Sequence, residues 1–357
     1  MRRNTIELFI VNFVFILLLC LSVKGQHQLS KENPNEVKPL AVGQIVEREI
    51  VPMQKHRYAI ALEAGQFVRI ELAETDVDGV MSLRSPDNKN LFEHADIKPV
   101  NGVKTNWAAA AVKGVYELRV ISYGEVKGKG TYRLKIGEIR LATDEEMNFT
   151  AGTKLYNEGF NLVGQVFSTA EILQANLAKG RQALEKFRLA KAVKSEAKTL
   201  WQMAVVSSRL GIGAETIELY LASIEKSRSI NDRRGEANAS RDLADAYSKI
   251  GEWDKAIQIN SESLKIARDI KLKSTEAGVL NQLGEVYTHF GDFERAALYY
   301  QQSSEIYLQF SNISRSVPLN NLGKIALNEG NMEKAADFFR QAVEAVRKEE
   351  NRFGATK

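Results

Sequence analysis

The sequence predicts an α+β multidomain chain, with an all-β sandwich in its N-terminal part and an all-α solenoid of helical repeats after it. Three observations predict it. Apolar and polar residues alternate with a period of two from about residue 38 to 141. The pattern turns helical at "TDEEM", Thr143 to Met147. One helical text then recurs, as "LADAYSKIGEWDKAIQIN" from Leu243, "LGEVYTHFGDFERAALYY" from Leu283 and "LGKIALNEGNMEKAADFF" from Leu322, with a worn copy, "MAVVSSRLGIGAETIELY", from Met203.

The chain has 357 residues, enough for two domains with separate cores. Its 49 basic and 45 acidic residues leave a formal net charge of +4, with the signs mixed along the helices, so nothing in the charge calls for nucleic acid. Arg2 and Arg3 precede an apolar run from Leu8 to Val23, and "VKGQ" follows with small residues at Val23 and Gly25. That run is short for a membrane span of about 20 residues. A charged start, apolar middle and small-residue end reads as a signal peptide over residues 1–25, and hence as export; the alternative is a retained membrane anchor. Cys20, the one cysteine, lies inside that segment, so the mature chain has no thiol for a disulfide, a zinc site or a nucleophile.

A polar linker, residues 26–37, leads into the sandwich at 38–141. Tyr58, Ile60 and Leu62, then Val68, Ile70 and Leu72, alternate with polar partners about the turn "EAGQ", which predicts an antiparallel hairpin with one buried face. A second hairpin is predicted around Pro86, Asp87 and Asn88. Further strands bury Tyr116, Leu118 and Val120, and Tyr132, Leu134 and Ile136; "GEVKGKG" between them reads as a hairpin turn. Several short strands with polar turns make a small sandwich.

Thr143 and Glu146 form a capping box that opens the helical part. Residues 142–196 read as a helical approach segment, 197–350 as about four repeats, and 351–357 as the start of a truncated further repeat, because Gly354 in "ENRFGATK" lies in register with Gly235 in "NDRRGEAN". Pro318 falls at the start of a repeat, where proline is tolerated. The small residues Ala204, Ala244, Gly284 and Gly323 stand 40, 40 and 39 positions apart (244−204, 284−244, 323−284). Gly211, Gly251, Gly291 and Gly330 keep the same intervals, as do Thr216, Ala256, Ala296 and Ala335. A fixed period of this length marks stacked helix pairs, each needing its neighbours to bury its apolar face.

With Leu243, Ala244 and Tyr247 on one helix and Ala256 on the next, and Leu283, Gly284, Tyr287 and Ala296 likewise, the unit resembles the tetratricopeptide repeat, lengthened by five or six residues between units. The sandwich, through "YAIALEAGQFVRIEL", "LRSPDNKNL" and "GVYELRV", resembles the prepeptidase C-terminal domain, a secreted jelly-roll-like module. The order of signal, sandwich and repeats looks like the front half of exported bacterial proteins that continue into a CHAT domain, a caspase-like peptidase fold. No cysteine remains to supply that fold's nucleophile, so the resemblance brings no activity with it.

The histidines, His27, His56, His94 and His289, lack partners at metal-ligand spacing, and HExxH and GxSxG are absent. Asp76 and Asp78 could hold calcium but read as a solvated loop. Asn148, Asn238 and Asn312 begin N-x-[ST] triplets and read as ordinary helix or loop residues. No cofactor, metal or catalytic residue is expected. The tetratricopeptide resemblance implies a peptide groove on the concave side, lined by the first helices. Counting from the buried stripe puts Trp201, Arg209, Asn238, Arg241, Lys249, Asn281, His289, Asn320, Lys324 and Asn328 on that side. Asparagine pairs with peptide backbone in both senses, and Arg and Lys hold carboxylates, which suits an extended or acidic peptide.

The expectation is therefore a non-enzymatic exported scaffold that binds a protein or peptide. The alternative is the regulatory or substrate-recognition front part of a CHAT-type peptidase whose catalytic domain is not in this chain. A membrane is a partner only if the signal stays as an anchor. Exposed Phe338, Phe339 and Val343 on an uncapped last repeat predict self-association.

Overall fold

The computed structural model describes residues 36–76, 79–94, 103–122, 130–160, 168–310 and 312–354. The signal segment, His27, Asp78 and nearly all of "GEVKGKG" lie outside these residues, as does the side chain of His94. Among the described residues no helix is long and apolar enough to cross a membrane.

Among the described residues nine strands form the β region: β1 Val37–Pro39, β2 Ile45–Ile50, β3 Lys55–Leu62, β4 Gln66–Thr75, β5 Gly79–Arg84, β6 Asn90–His94, β7 Val103–Ala109, β8 Gly114–Ser122 and β9 Gly130–Leu141. They pair in two sheets, ordered β1-β3-β8-β5-β6 and β2-β9-β4-β7. Inward positions are filled by Tyr58, Ile60, Ile70, Leu72, Leu118 and Leu134, all 1 % exposed or less. Each such side chain contributes about 1.5–3 kcal/mol of burial.

The predicted hairpin at "EAGQ" is corrected by this topology. The turn exists, with the Gln66 amide donating to the Glu63 carbonyl at 3.2 Å, but β3 belongs to one sheet and β4 to the other. The chain arches across the sandwich, and the inward residues of the two strands sit in one core between the sheets. Alternation is satisfied equally by pairing side by side or by facing across a core, so the pattern cannot distinguish them. The hairpin read at "GEVKGKG" fails for the same reason, since β8 and β9 also lie in different sheets. Among the described strands only β5 and β6 pair as a consecutive hairpin, at Pro86–Asn88 as expected; the other described strands change sheet from each to the next, in jelly-roll-like fashion.

Ten helices follow among the described residues: α1 Asp144–Phe160, α2 Ala170–Leu189, α3 Val193–Arg209, α4 Gly213–Ser229, α5 Arg233–Lys249, α6 Trp253–Asp269, α7 Lys273–His289, α8 Phe293–Leu308, α9 Asn312–Asn328 and α10 Met332–Gly354. The capping box opens α1: the Thr143 amide donates to Glu146 at 2.9 Å, and the Glu146 amide to Thr143 Oγ1 at 3.2 Å. Arg140 also bonds Glu146, and that bond leads the causes that hold its carboxyl down at about 2. Helix α1 is tied to the sandwich. The Ala109 amide donates to Thr150 Oγ1 at 2.9 Å, and a row of rings, Phe67, Trp107, Phe149 and Phe187, runs from β4 into α2 at centroid spacings of 5.5, 4.8 and 5.7 Å.

Helices α3 to α10 form four antiparallel pairs. The loop glycines Gly211, Gly251, Gly291 and Gly330 take φ of 75 to 81°, the left-handed turn that costs glycine least. A Cβ on Gly284 would sit 2.6 Å from the Tyr300 ring, and one on Gly323 2.6 Å from Phe339, so the small residues mark close crossings within a pair. A second periodic device ties the pairs. Ser223, Ser263 and Ser303 donate to the carbonyls of Ala197, Ala237 and Ala277 at 2.8, 2.9 and 2.8 Å, each 26 residues back. Glu196, Glu236 and Glu276 recur as buried carboxylates, Glu236 held by Arg228 and Arg233 and Glu276 by Arg268 and Lys273. Burial opposes ionisation of Glu276, but the bonds from Lys273 and Arg268 outweigh it and its carboxyl falls below the usual range.

Four expectations change here. The approach segment holds a fifth close pair: Gly152 of α1 packs on Phe187 of α2, and Gly159 on Lys179 and the Asn176 carbonyl. Pro318 lies inside α9, seven residues in, not at its start. Phe338 and Phe339 are not exposed, because Phe339 covers Gly323 and Phe338 packs on the cluster around Tyr300 and Leu322; Val343 alone of the three is open, at 50 %. Last, α10 runs unbroken through residue 351, where register predicts a turn. Glu350 stands where Asn231 adopts φ 56°, and asparagine tolerates that conformation better than glutamate does.

Candidate functional site

Successive first helices approach one another, α3 against α5 and α5 against α7, while no two second helices do so to the same degree. The first helices therefore line the tighter, inner side of the stack. Their outward positions form a lattice of four residues on each of four helices. The rows are Lys198, Trp201, Val205 and Arg209; Asn238, Arg241, Asp245 and Lys249; Gly278, Asn281, Glu285 and His289; and Val317, Asn320, Lys324 and Asn328. None of these side chains is fully buried, and all ten residues expected from the sequence lie within the lattice.

Bonds between rows hold the wall in one arrangement. Trp201 Nε1 donates to Asp242 Oδ2 at 2.8 Å, linking α3 to α5, and Thr275 donates to Asn238 Oδ1 at 2.6 Å, linking α5 to α7. The stem of Arg241 lies over Gly278, whose missing side chain leaves that space; a Cβ there would sit 3.2 Å from Arg241 Cδ. Lys198 lies 4.9 Å above the Tyr156 ring, and burial, with help from Lys194, lowers its pKa. At the rim His289 stacks on Trp253, with ring centroids 3.9 Å apart.

The charge of the wall differs from the expected one. Arg241, offered by the sequence to hold a carboxylate, is engaged through Nε and Nη2 by Asp242 at 2.9 and 2.7 Å, and Lys249 pairs with Asp245 at 2.6 Å. The acids Asp242, Asp245 and Glu285 share the wall, and none was on the expected list. They could have been found, since Asp245, Glu285 and Lys324 repeat at the register of Val205, each one residue after the small residue of the crossing. Among the described residues Glu285 accepts from Asn281 Nδ2 alone, at 2.8 Å; partial desolvation, with Asp245, raises its pKa against the opposing action of that bond, Lys324 and Lys249. Lys324 and Asn320 are exposed on α9 with Asn328, and Arg209 is exposed at the end of α3.

The sandwich offers a weaker feature. A cavity of about 460 Å³ opens beside Arg48, Thr131, Tyr132 and Arg133. Behind it the buried His56, next to the first residue of β3, shares a hydrogen with Tyr132 at 2.7 Å, and burial, with Arg48 and Lys38, depresses its pKa to about 4. Among the described residues no group of three or more His, Cys, Asp or Glu is placed to hold a metal ion.

Family models of the tetratricopeptide repeat match residues 195–269, 279–313 and 318–347, so the helical part carries repeats of that kind. None of these three matches touches the sandwich or a caspase-like peptidase. No curated protein matches the chain. Among solved structures, a Rap protein complexed with Competence and Sporulation Factor is similar at a TM-score of 0.50 and 15 % identity, covering 56 % of this chain and 55 % of that one. NprR in complex with its cognate peptide NprX is similar at 0.44 and 20 % identity, over 58 % and 59 % of the two chains. BtubC from P. vanneervenii is similar at 0.42 and 16 % identity, over 58 % and 93 %. This chain thus spans about half the length of the Rap chain it resembles. The likeness is one of fold.

Proposed function

We propose that this chain, built on tetratricopeptide repeats, is a non-enzymatic interaction scaffold whose inner wall holds an extended segment of a partner protein or peptide. The observation that carries the reading is the wall itself: four consecutive first helices present mostly polar side chains at one register, and bonds between rows order the first three of them. Asparagines recur at 238, 281, 320 and 328, spaced to meet the amides and carbonyls of an extended backbone. Pre-ordering lowers the entropy lost on binding. That a Rap protein of similar fold was solved complexed with Competence and Sporulation Factor supports a binding role for this fold.

Selection of random peptides on the purified chain, followed by calorimetry, tests this. Peptides should be retained, and joint replacement of Arg241, Asn281 and Asn320 by alanine should weaken them about tenfold or more. Retention of none, or binding indifferent to the three changes, would overturn the reading. The charged start, apolar run and small-residue end of residues 1–25 support export of this scaffold. Mass spectrometry should find the mature N-terminus near residue 26, and a protein still beginning at Met1 would count against export.

A further inference from the structure

The stack of helix pairs has two edges, and they differ in charge. In antiparallel pairs the links within a pair, at Gly211, Gly251, Gly291 and Gly330, all fall at one edge, and the links between pairs, at Lys191, Asn231 and Lys271, fall at the other. At the between-pair edge residues 186–196, 226–236 and 266–276 hold four, four and three basic residues against one, two and two acidic ones. Three of those acids, Glu196, Glu236 and Glu276, are buried and engaged by cations of the chain itself. At the within-pair edge residues 246–256, 286–296 and 325–335 hold two, one and one basic residues against two acidic ones each. Signs that are mixed along the helices are thus sorted between the edges.

Helix electrostatics accounts for the acidic edge. Asp254, Glu294 and Glu333 sit in the first turns of second helices, where the dipole favours a carboxylate. The basic edge has no such account, because Lys194 and Arg234 sit in the first turns of α3 and α5, where the dipole opposes a cation. Arg233 and Lys273, at similar starts, are answered by Glu236 and Glu276. Lys194, Arg234 and Lys271 are exposed and make no ion pair among the described residues, and the same holds for Asp254, Glu294 and Glu333.

Both edges also carry exposed apolar side chains: Ile230, Ile270 and Phe310 on the basic one, Ile250, Phe290 and Met332 on the acidic one. Ile230, Ile270 and Phe310 stand 40 residues apart (270−230, 310−270), as do Ile250 and Phe290 (290−250). Since both rows ride on one stack of pairs, they advance by the same step. Two rows of equal step, each apolar at intervals and opposite in charge, are complementary to each other. An anionic membrane would answer the basic edge and leave the matching apolar row on the acidic edge without a partner.

We infer that a second copy of this chain lays its acidic edge along the basic edge of the first, apolar row against apolar row, with Asp254, Glu294 and Glu333 supplying carboxylates to Lys194, Arg234 and Lys271. The contact joins two different surfaces, so every added copy brings a free edge of each kind, and assembly continues past the pair or closes in a ring. It uses neither the inner wall nor the last helix, and so stands apart from the peptide-binding reading. The self-association expected from Phe338, Phe339 and Val343 is thereby moved to the edges.

Sedimentation velocity of the full chain tests this. The sedimenting mass should rise with concentration past that of a pair, and raising the salt from about 0.05 to about 0.5 M should weaken association about tenfold, because screening shortens the reach of exposed charges. Arg234→Glu with Lys271→Glu puts carboxylates on both edges, and Asp254→Lys with Glu294→Lys puts cations on both, while Arg233, Lys273 and the small-residue crossings stay as they are. Each altered chain should sediment as a monomer by itself, and a mixture of the two should associate again. Thermal melting checks that both keep the fold. An unaltered chain that stays monomeric at every concentration would overturn the inference. Association of either altered chain alone would also overturn it, by placing the contact elsewhere, as on α10 at Val343. So would two folded altered chains that stay apart when mixed. Sedimentation of the unaltered chain with phosphatidylglycerol vesicles in place of self-association would assign the basic edge to a membrane and overturn it too.

Discussion

The sandwich and the solenoid bury their interiors in opposite ways. In the sandwich one continuous core joins all strands but the shortest, and its fully covered members are large: Tyr58, Tyr116, Ile70, Leu83 and Leu118. In the solenoid the interior is broken into separate clusters, one about Tyr220 and Leu243, one about Tyr300 and Leu322, one about Phe160 and Met203. Much of what it covers is small or polar, including Ala204, Ala244, Ser223, Ser263 and Glu236. A core assembled from distant strands stands or falls as a whole, whereas a stack of pairs is a sum of neighbour terms. Shape-selective surface is easier to build on the second kind, because one wall residue can change without disturbing its fellows.

The largest expected break is in the shared core. Leu118→Ala removes a side chain 0 % exposed between both sheets, and should cost the sandwich about 3 kcal/mol. Urea titration followed by Trp107 fluorescence should move its midpoint, while the signal of Trp201 and Trp253 in the solenoid stays in place. Coincident shifts would show that the two parts unfold together.

Acid should separate them next. His56 is kept neutral in the folded sandwich, with its pKa pressed from 6.5 to about 4, so the unfolded chain takes up a proton before the folded one does. Stability is thus full above pH 6.5 and declines as pH falls toward 4, by about 2–3 kcal/mol. Glu146 acts at lower pH: its depressed carboxyl contributes above its usual range and is lost as pH falls through about 2. His56→Gln should flatten the slope between pH 6.5 and 4, and an unchanged slope would assign it to other groups.

Within the solenoid, Gly284→Val drives side-chain atoms into the Tyr300 ring and should cost about 2 kcal/mol, felt in the third pair and the pairs beside it. Hydrogen exchange should show the loss falling away toward α3. The mildest change, Ser263→Ala, removes one hydroxyl bond to the Ala237 carbonyl and should cost about 1 kcal/mol. An effect as large as that of Leu118→Ala would mean the pairs are not independent.

These differences also explain what the sequence discloses. The repeats were legible because each signal is local: a small residue, a loop glycine and an alanine recur at one interval, and the structure gives each a physical task. The strands and their inward faces were legible for the same reason, but their partners were not. Nothing in "YAIALEAGQFVRIEL" states whether Tyr58 and Val68 lie side by side or across a core. The pair α1 and α2 was missed because α1 does not keep the forty-residue spacing, although Gly152 and Gly159 were its visible trace. The wall residues followed from helical geometry, whereas their charge state depended on bonds such as Arg241 to Asp242 and Asn281 to Glu285, which a search for cations and asparagines overlooked.

The serine bonds also bear on how the molecule answers tension. Each one closes a loop of chain between residues 26 apart, so a pair so laced cannot lengthen until its rung snaps. In the fourth pair Ala342 stands where the others have serine, and that rung is missing. A chain drawn out between its ends, as in an optical trap, should therefore yield at the fourth pair first, at the lowest force, and release the laced pairs only afterwards. The repeats, alike in outline, would work as a set of springs with one soft member.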